Sequence, residues 1–378
     1  MTRLFDPLDL RSVRFRNRVF VTPMCQYSSP DGQPHDWHLV HYGTRAVGGA
    51  GLVLVEATAV CPEGRISPDD LGLWSDEQVA PWQRITAFIK AQGAVPGIQI
   101  AHAGRKASTE VPWRGGRPLS EGGRGWRPVG PSPEAFAPGH LEPRELSVDE
   151  IAATVMRFGE AARRARRAGF EVVEIHMAHG YLVHQFLSPL VNRRGDAYGG
   201  PLGNRLRLAL EVAAVVRKAW PADFPVFARL SCTDWVDGGW DIAQSLELAG
   251  GLREAGVDLI DCSSGGAVAS AKIPLAPGYQ VPFAEEIRRK AGIPTAAVGL
   301  ITEPAQAEAI VAGGKADAVL LGRQLLREPY WPLRAAHELQ EDHEWPVQYE
   351  RGRWASAPVA IAGGGPWFPA DGDARRRR

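Results

Sequence analysis

Two imidazoles and a phenol fall within six positions, His176, His179 and Tyr181 of Glu174-Ile175-His176-Met177-Ala178-His179-Gly180-Tyr181. Such a set could ligate a metal, relay protons, or clamp an anionic oxygen. A His-x-x-His pair is a weak metal signal, and neither a His-Glu-x-x-His nor a patterned third ligand accompanies it. As donors the residues make better sense. Two imidazole N–H groups converging on a carbonyl oxygen would polarise it, and the Tyr181 hydroxyl could deliver a proton to the adjacent carbon. Histidines satisfied in a packed loop are the plain structural alternative.

Other chemistry-bearing residues lie far apart in the chain. Gln99 sits in Gln99-Ile100-Ala101-His102-Ala103-Gly104-Arg105-Lys106, where strand alternation would aim its amide, both donor and acceptor, at one face. A satisfied buried glutamine fits equally. Arg229, in Phe227-Ala228-Arg229-Leu230-Ser231, is flanked by apolar residues and therefore needs an anionic partner. Gly299 and Gly322-Arg323 each follow an apolar run, where backbone N–H groups and a cation could hold a phosphate. Turn glycines with a surface arginine are the alternative there. Cys25, in Pro23-Met24-Cys25-Gln26-Tyr27, is by type a small core hydrophobe, yet at a strand's carboxyl end its thiol could donate weakly to a bound ring.

Positioning these groups together requires a scaffold, and the sequence has the pattern of one. Short β-rich runs are expected at 18–22, 51–57, 95–101, 170–176, 225–231, 259–263, 295–298 and 318–321. Amphipathic helices are expected between them, at 39–47, 76–92, 148–168, 204–219, 242–255, 283–291, 303–312 and 332–340. Gly49, Gly93, Gly169, Gly256, Gly292 and Gly313 punctuate six helix-to-strand junctions, as left-handed C′ residues would. Eight such units predict an α/β fold, a single (β/α)8 TIM barrel. No Gly-x-Gly-x-x-Gly follows the first strand, which argues against an open doubly wound sheet. Residues 108–144, rich in Gly, Pro, Trp and Arg, read as an excursion after the third strand forming a rim or lid. The barrel is assigned to residues 1–345, and 346–378 to a C-terminal tail.

Composition narrows the function classes. Forty-three basic residues balance forty-three acidic ones, so no net field draws the chain to nucleic acid or an anionic membrane. The closing Arg375 to Arg378 reads as a solvated, disordered end. No apolar run approaches the about 20 residues of a membrane span, and the first residues have no signal-peptide architecture. A soluble, cytoplasmic protein is expected. Cys25, Cys61, Cys232 and Cys262 are scattered without Cys-x-x-Cys spacing, as for free thiols in a reducing compartment, and no metal site is expected.

Taken together, several motifs resemble a known family collinearly: Thr22-Pro23-Met24-Cys25-Gln26-Tyr27, His102-Ala103-Gly104-Arg105-Lys106, His176-Met177-Ala178-His179-Gly180-Tyr181-Leu182, Ser188-Pro189-Leu190-Val191-Asn192-Arg193-Arg194, Val298-Gly299-Leu300-Ile301 and Leu321-Gly322-Arg323. The chain resembles the old yellow enzymes, specifically their thermophilic-like, xenobiotic-reductase branch, over about residues 4–354.

The resemblance implies a barrel that binds FMN non-covalently and uses NADPH, or NADH, to reduce the activated C=C bonds of α,β-unsaturated carbonyl or nitro compounds in a ping-pong reaction. It implies that Pro23, Met24, Cys25, Ala57, Gln99 and Arg229 contact the isoalloxazine, and that Gly299, Gly322 and Arg323 hold the phosphate. His176 and His179 would bind the substrate's oxygen, Tyr181 would donate the proton, and Cys25 would tune the flavin. Tyr27 and Lys106 would stand nearby. Arg351, and with it Trp354, would reach into a neighbouring subunit's pocket, in a homodimer or homotetramer. The residues after them have no place in the family pattern. The rival reading is a metal-dependent barrel lyase or hydrolase with His176 and His179 as ligands.

Overall fold

The structure is a computed structural model, and it describes residues 3–354. Twelve strands form in chain order: β1 Leu8–Leu10, β2 Val13–Phe15, β3 Val19–Val21, β4 Leu52–Ala59, β5 Val95–Ala101 and β6 Val129–Gly130. Then come β7 Arg144–Glu145, β8 Val172–Met177, β9 Val226–Ser231, β10 Leu259–Ser263, β11 Thr295–Ala297 and β12 Ala318–Leu321. Strands β3, β4, β5, β8, β9, β10, β11 and β12 close into one parallel barrel. These are the eight predicted strands. Their near-continuous apolar sequences follow from burial on both faces, inside the barrel and under the helices.

The helices are α1 Asp36–Val47, α2 Val79–Ala91, α3 Val148–Arg167, α4 Leu182–Leu187 and α5 Leu202–Ala219. They continue as α6 Ile242–Glu254, α7 Val281–Ala291, α8 Pro304–Ala312, α9 Arg323–Arg327 and α10 Trp331–Glu338. Helix α3 shows why such segments are helical. Ser147 and Glu150 form a reciprocal capping box, Asp149 and Glu150 face the positive N-terminal end, and Arg164, Arg166 and Arg167 face the negative end. Its apolar face buries Ile151, Val155, Phe158 and Ala162 against the barrel. Gly169 stops it at φ +93°, where an added Cβ would lie 2.6 Å from Thr86 Oγ1.

Three expectations needed correction. At the junction expected to use Gly313 the left-handed residue is Gly314, because Gly313 still carries helical angles at the end of α8. Helix α1 starts three residues earlier than its apolar periodicity suggested, because His35 and His38 supply the capping box in place of a Ser or Asp. The N-terminal hairpin β1–β2 was not foreseen. Its turn, Arg11-Ser12, contains no glycine or asparagine, and Arg11 itself takes φ +52°.

That hairpin closes the bottom of the barrel. Phe15 packs tilted on Phe20 (ring centroids 5.0 Å apart) and Phe227 (6.3 Å), within an interior apolar plug that includes Leu52, Val172 and Leu259. Above the plug the inward-facing residues turn polar. The excursion at 108–144 folds onto the opposite rim, where Trp126 Nε1 donates to Glu63 O, Arg105 Nη1 donates to Glu134 O, and Phe136 lies over Lys106. No helix among the described residues is long and apolar enough to cross a membrane. Residues 346–354 are described, with a short helical turn at Val347–Gly352, while the rest of the expected tail, including Arg375 to Arg378, lies outside the described residues.

Candidate active site

Strand β8 points Glu174 and His176 into the barrel, and the chain then turns sharply through His179 (φ +58°) and Gly180 (φ +72°). Two close approaches fix this turn. A Cβ on Gly180 would lie 1.9 Å from Gly266 O, and one on Gly266 would lie 2.6 Å from the His179 carbonyl, so the two loops touch through backbone alone. Behind the turn, Gly180 N donates to His184 Nδ1 (2.8 Å), and His184 Nε2 lies 3.1 Å from the buried Asp234. Lys106 Nζ donates to His179 O (2.9 Å) and Gly266 O (3.3 Å), bracing both loops at once.

The turn sets three rings edge to face. The His176 ring centroid is 5.2 Å from that of His179 and 4.9 Å from that of Tyr181. Burial, and then the charge of Arg229, drive both imidazoles well below the usual histidine range, so both are neutral. Ala178 N donates to His176 Nδ1 (3.2 Å), which assigns the His176 proton to Nε2. His179 Nε2 lies 2.7 Å from Ser263 Oγ, and its backbone N–H donates to Ser231 Oγ. Burial holds the Tyr181 phenol well above its ordinary value, so it keeps its proton. Burial, then neighbouring Arg105, lower the Lys106 ammonium to about 8.

Deeper in the barrel is a row of charged and amide groups on adjacent strands. Register pairs Gln99 with Glu174, and Arg229 with both His176 and Asp261. Gln99 Nε2 donates to Glu174 Oε1 at 2.8 Å, which leaves its amide oxygen as an acceptor. Arg229 Nε lies 2.9 Å from Asp261 Oδ2, off-axis for a hydrogen bond. The anion expected beside Arg229 is thus supplied by the protein itself. Glu174 and Asp261 were missed as site residues, although Glu174 stands two positions before His176 on the same strand face.

Cys25 follows β3 and lines the same cavity, where burial, then Asp70 and Glu56, push its thiol up and keep it un-ionised. Its loop is anchored from behind: Gln26 N donates to Glu56 Oε2 (2.6 Å) and Tyr42 Oη to Glu56 Oε1 (2.7 Å). Burial raises the Glu56 carboxyl to about 8. Gly322 precedes α9, and a Cβ there would lie 3.0 Å from Thr22 Cγ2.

One cavity of about 280 Å³ joins these elements. Pro23, Met24, Cys25, Ala57, Gln99, His176, His179, Tyr181, Arg229, Gly322 and Arg323, all expected from sequence, line it together with Thr22. Five expected residues are not among the lining residues. Gly299 (φ +119°) stands against Tyr279 and Gln280, Tyr27 packs edge-on to Trp113 of the excursion, and Lys106 braces the loops. Arg351 and Trp354 are exposed, and Trp354 stacks on His337 of its own chain. Among the described residues no group of three or more His, Cys, Asp or Glu side chains could hold a metal, so His176 and His179 find no third ligand there.

A sequence profile of the NADH:flavin oxidoreductase / NADH oxidase family matches residues 3–342. The chain is 48% identical over 353 residues to an NADPH dehydrogenase of Geobacillus thermodenitrificans, covering 93% of this chain and 98% of that one. It is 46% identical over 352 residues to an NADPH dehydrogenase of Bacillus subtilis, covering 93% and 99%. Among solved structures, morphinone reductase in complex with tetrahydroNAD superposes with TM-score 0.75 at 29% identity, covering 95% of this chain and 96% of that one. An old yellow enzyme homologue from Zymomonas mobilis gives TM-score 0.75 at 27% identity, covering 94% and 98%. This chain belongs to the NADH:flavin oxidoreductase / NADH oxidase family, that of the old yellow enzymes.

Proposed function

We infer that the protein is an FMN-dependent NAD(P)H oxidoreductase, an ene-reductase acting on the activated C=C bonds of α,β-unsaturated carbonyl or nitro compounds. The observation that carries this is the convergence of His176, His179 and Tyr181 on one wall of a cavity whose other walls hold Gln99, Arg229, Gly322 and Arg323. The family, and relatives named NADPH dehydrogenase, support it.

The cavity's donor set fits FMN. The free amide oxygen of Gln99 and the guanidinium of Arg229 can meet the acceptor and donor edge of a flavin pyrimidine, and the Cys25 thiol can donate to the ring. Gly322 leaves the wall beside Thr22 without a Cβ, so main chain can approach a phosphate there, with Gly299 and Arg323 assigned to the same role. Pro23, Met24 and Ala57 would contribute apolar contact to the ring. Held by these residues, FMN would supply the hydride chemistry that links NADPH to the β-carbon of the alkene.

The chain's own groups supply orientation, polarisation and the proton. His176 Nε2–H is a neutral donor held by its tautomer. His179 Nε2 lies 2.7 Å from Ser263 Oγ, and in the tautomer in which that hydroxyl donates, His179 carries its proton on Nδ1 as the second donor. Both act on the substrate oxygen, where negative charge grows toward the transition state. Tyr181, protonated and beside His176, donates to the α-carbon. Lys106 keeps the histidine turn in place, and Tyr27 belongs to the rim. The excursion at 108–144 is assigned as that rim's lid. Arg351 and Trp354, exposed in their own subunit, are assigned to a neighbour's pocket in a homodimer or homotetramer, and the enzyme to the cytoplasm.

Anaerobic titration with NADPH, then with 2-cyclohexenone, tests the reading. Flavin absorbance should bleach and then return. Protein purified without flavin and unable to take up FMN, or bleached flavin indifferent to the enone, refutes it.

A further inference from the structure

Beneath the cavity, two carboxylates flank one guanidinium in a buried layer. Glu174 and Asp261 are fully buried, on the strands either side of the one that carries Arg229. Glu174 Oε1 accepts from Gln99, but Glu174 Oε2 and both oxygens of Asp261 have no hydrogen-bond partner among the described residues. Asp261 contacts Arg229 only through the off-axis 2.9 Å approach. His176, the other titratable neighbour across from Arg229, is neutral.

Charge counting narrows the protonation states. Two ionised carboxylates against one guanidinium would bury a net negative charge with unpaired oxygens, which is costly in a low-dielectric interior. Two neutral acids would leave Arg229 uncompensated. One proton on the pair makes the triad neutral, as when two carboxylates share a site.

We propose that Glu174 and Asp261 carry one proton between them and together hold a single negative charge against Arg229, so that the floor of the cofactor cavity is electrically neutral. Burial, and for Glu174 the neighbouring Asp261, push these carboxyls upward, which agrees with this count. Arg229 then meets the cofactor as an oriented donor rather than as a net positive charge. Glu174 and Asp261 are positioning residues, acting through Gln99 and Arg229. The redox consequence rests on the FMN reading above; the protonation does not.

Infrared difference spectra of the full-length protein in H2O and D2O, with and without FMN, are the direct test. The difference between the wild type and each of Glu174→Gln and Asp261→Asn should contain one un-ionised carboxylic acid C=O stretch that the wild type has and both variants lack, because the remaining carboxylate then ionises beside Arg229; the band of the buried Glu56 acid is common to all three proteins and cancels. A wild type without the band, or a band removed by only one of the two substitutions, overturns the proposal. Redox titration of the FMN-loaded protein gives a second readout. Each single variant keeps the triad neutral, so its potential should move little. The Glu174→Gln/Asp261→Asn double variant exposes Arg229 and should favour reduced over oxidised FMN by about tenfold or more, a rise of about 30 mV for two electrons. Shifts that simply add from the singles, or no shift in the double variant, would overturn it. A wild type that takes up no FMN would defeat the earlier reading, and the infrared result would still decide this one.

Discussion

Replacing Tyr181 with phenylalanine separates its proposed role as proton donor from everything else the residue does. The ring stays, and with it the edge contact to His176 at 4.9 Å and the stacking under Lys106 at 5.2 Å. Tyr181 lines the cavity and its hydroxyl has no hydrogen-bond partner among the described residues, so little folding energy is lost with it. A positioned general acid contributes about 10²–10⁴-fold, or roughly 3–5 kcal/mol of barrier. Stopped-flow measurement of the two half-reactions should therefore show flavin reduction by NADPH within about twofold of wild type. Flavin reoxidation by 2-cyclohexenone should slow by about 10²–10⁴-fold. Because burial holds the phenol well above its ordinary value, the wild-type reoxidation rate should not fall through a tyrosine ionisation from about pH 6 to 9. Equal slowing of both half-reactions, or neither, would refute Tyr181 as the acid.

The two histidines should each matter through binding as well as rate. His176→Ala and His179→Ala should each cost about 2.7–4 kcal/mol in kcat/KM for enones, and the double variant should lose phenol binding, seen as the absence of a charge-transfer band. Gly180→Ala forces a Cβ onto Gly266 O at a left-handed backbone, so its Tm should fall and His179 should be displaced, with enone KM rising. Glu56 predicts a pH signature. Its folded carboxyl, raised to about 8, keeps a proton that the unfolded chain releases near 4.5, so stability falls as pH rises between those values. Glu56→Gln should flatten that decline, worth on the order of a few kcal/mol, when urea midpoints are compared across the range; an unchanged slope would count against the buried, uncharged carboxyl.

The barrel was legible because its strands are buried on both faces and near-continuously apolar, and six helix ends carry a glycine nearby. The hairpin β1–β2 was not, since Arg11 and Ser12 give no turn signal and closing partners such as Phe227 and Leu259 come from distant strands. At the site, residues that carry donors or a thiol could be picked out by type and by their place at strand ends. Glu174 and Asp261 could not, because a carboxylate on a strand reads as an interruption of the apolar pattern. Asp261 is 32 residues from Arg229 in sequence and becomes its partner only through the β9–β10 register. Glu56 was hidden for a related reason. The bulge between Val55 and Thr58 accompanies a side chain turned toward Tyr42, outside the barrel, which simple alternation does not foresee.

The excursion at 108–144 is tied to the barrel partly through main-chain atoms and partly through a few of its own side chains. Trp126 reaches the Glu63 carbonyl, Arg105 the Glu134 carbonyl, and Thr109 N the Ile66 carbonyl. The Glu134 and Thr109 anchors use only the segment's main chain and are indifferent to its side chains, whereas Trp126 and Arg124, which pairs with Asp69, must be kept. By contrast, the Gly180–Gly266 contact tolerates no added side chain at either position. Variation in what the enzyme accepts can therefore accumulate in the excursion, at Trp113 and Phe136 above all, while the reacting wall stays as it is. For anyone redirecting this catalyst to a bulkier substrate, the segment is the exchangeable cartridge and the barrel mouth the fixed socket.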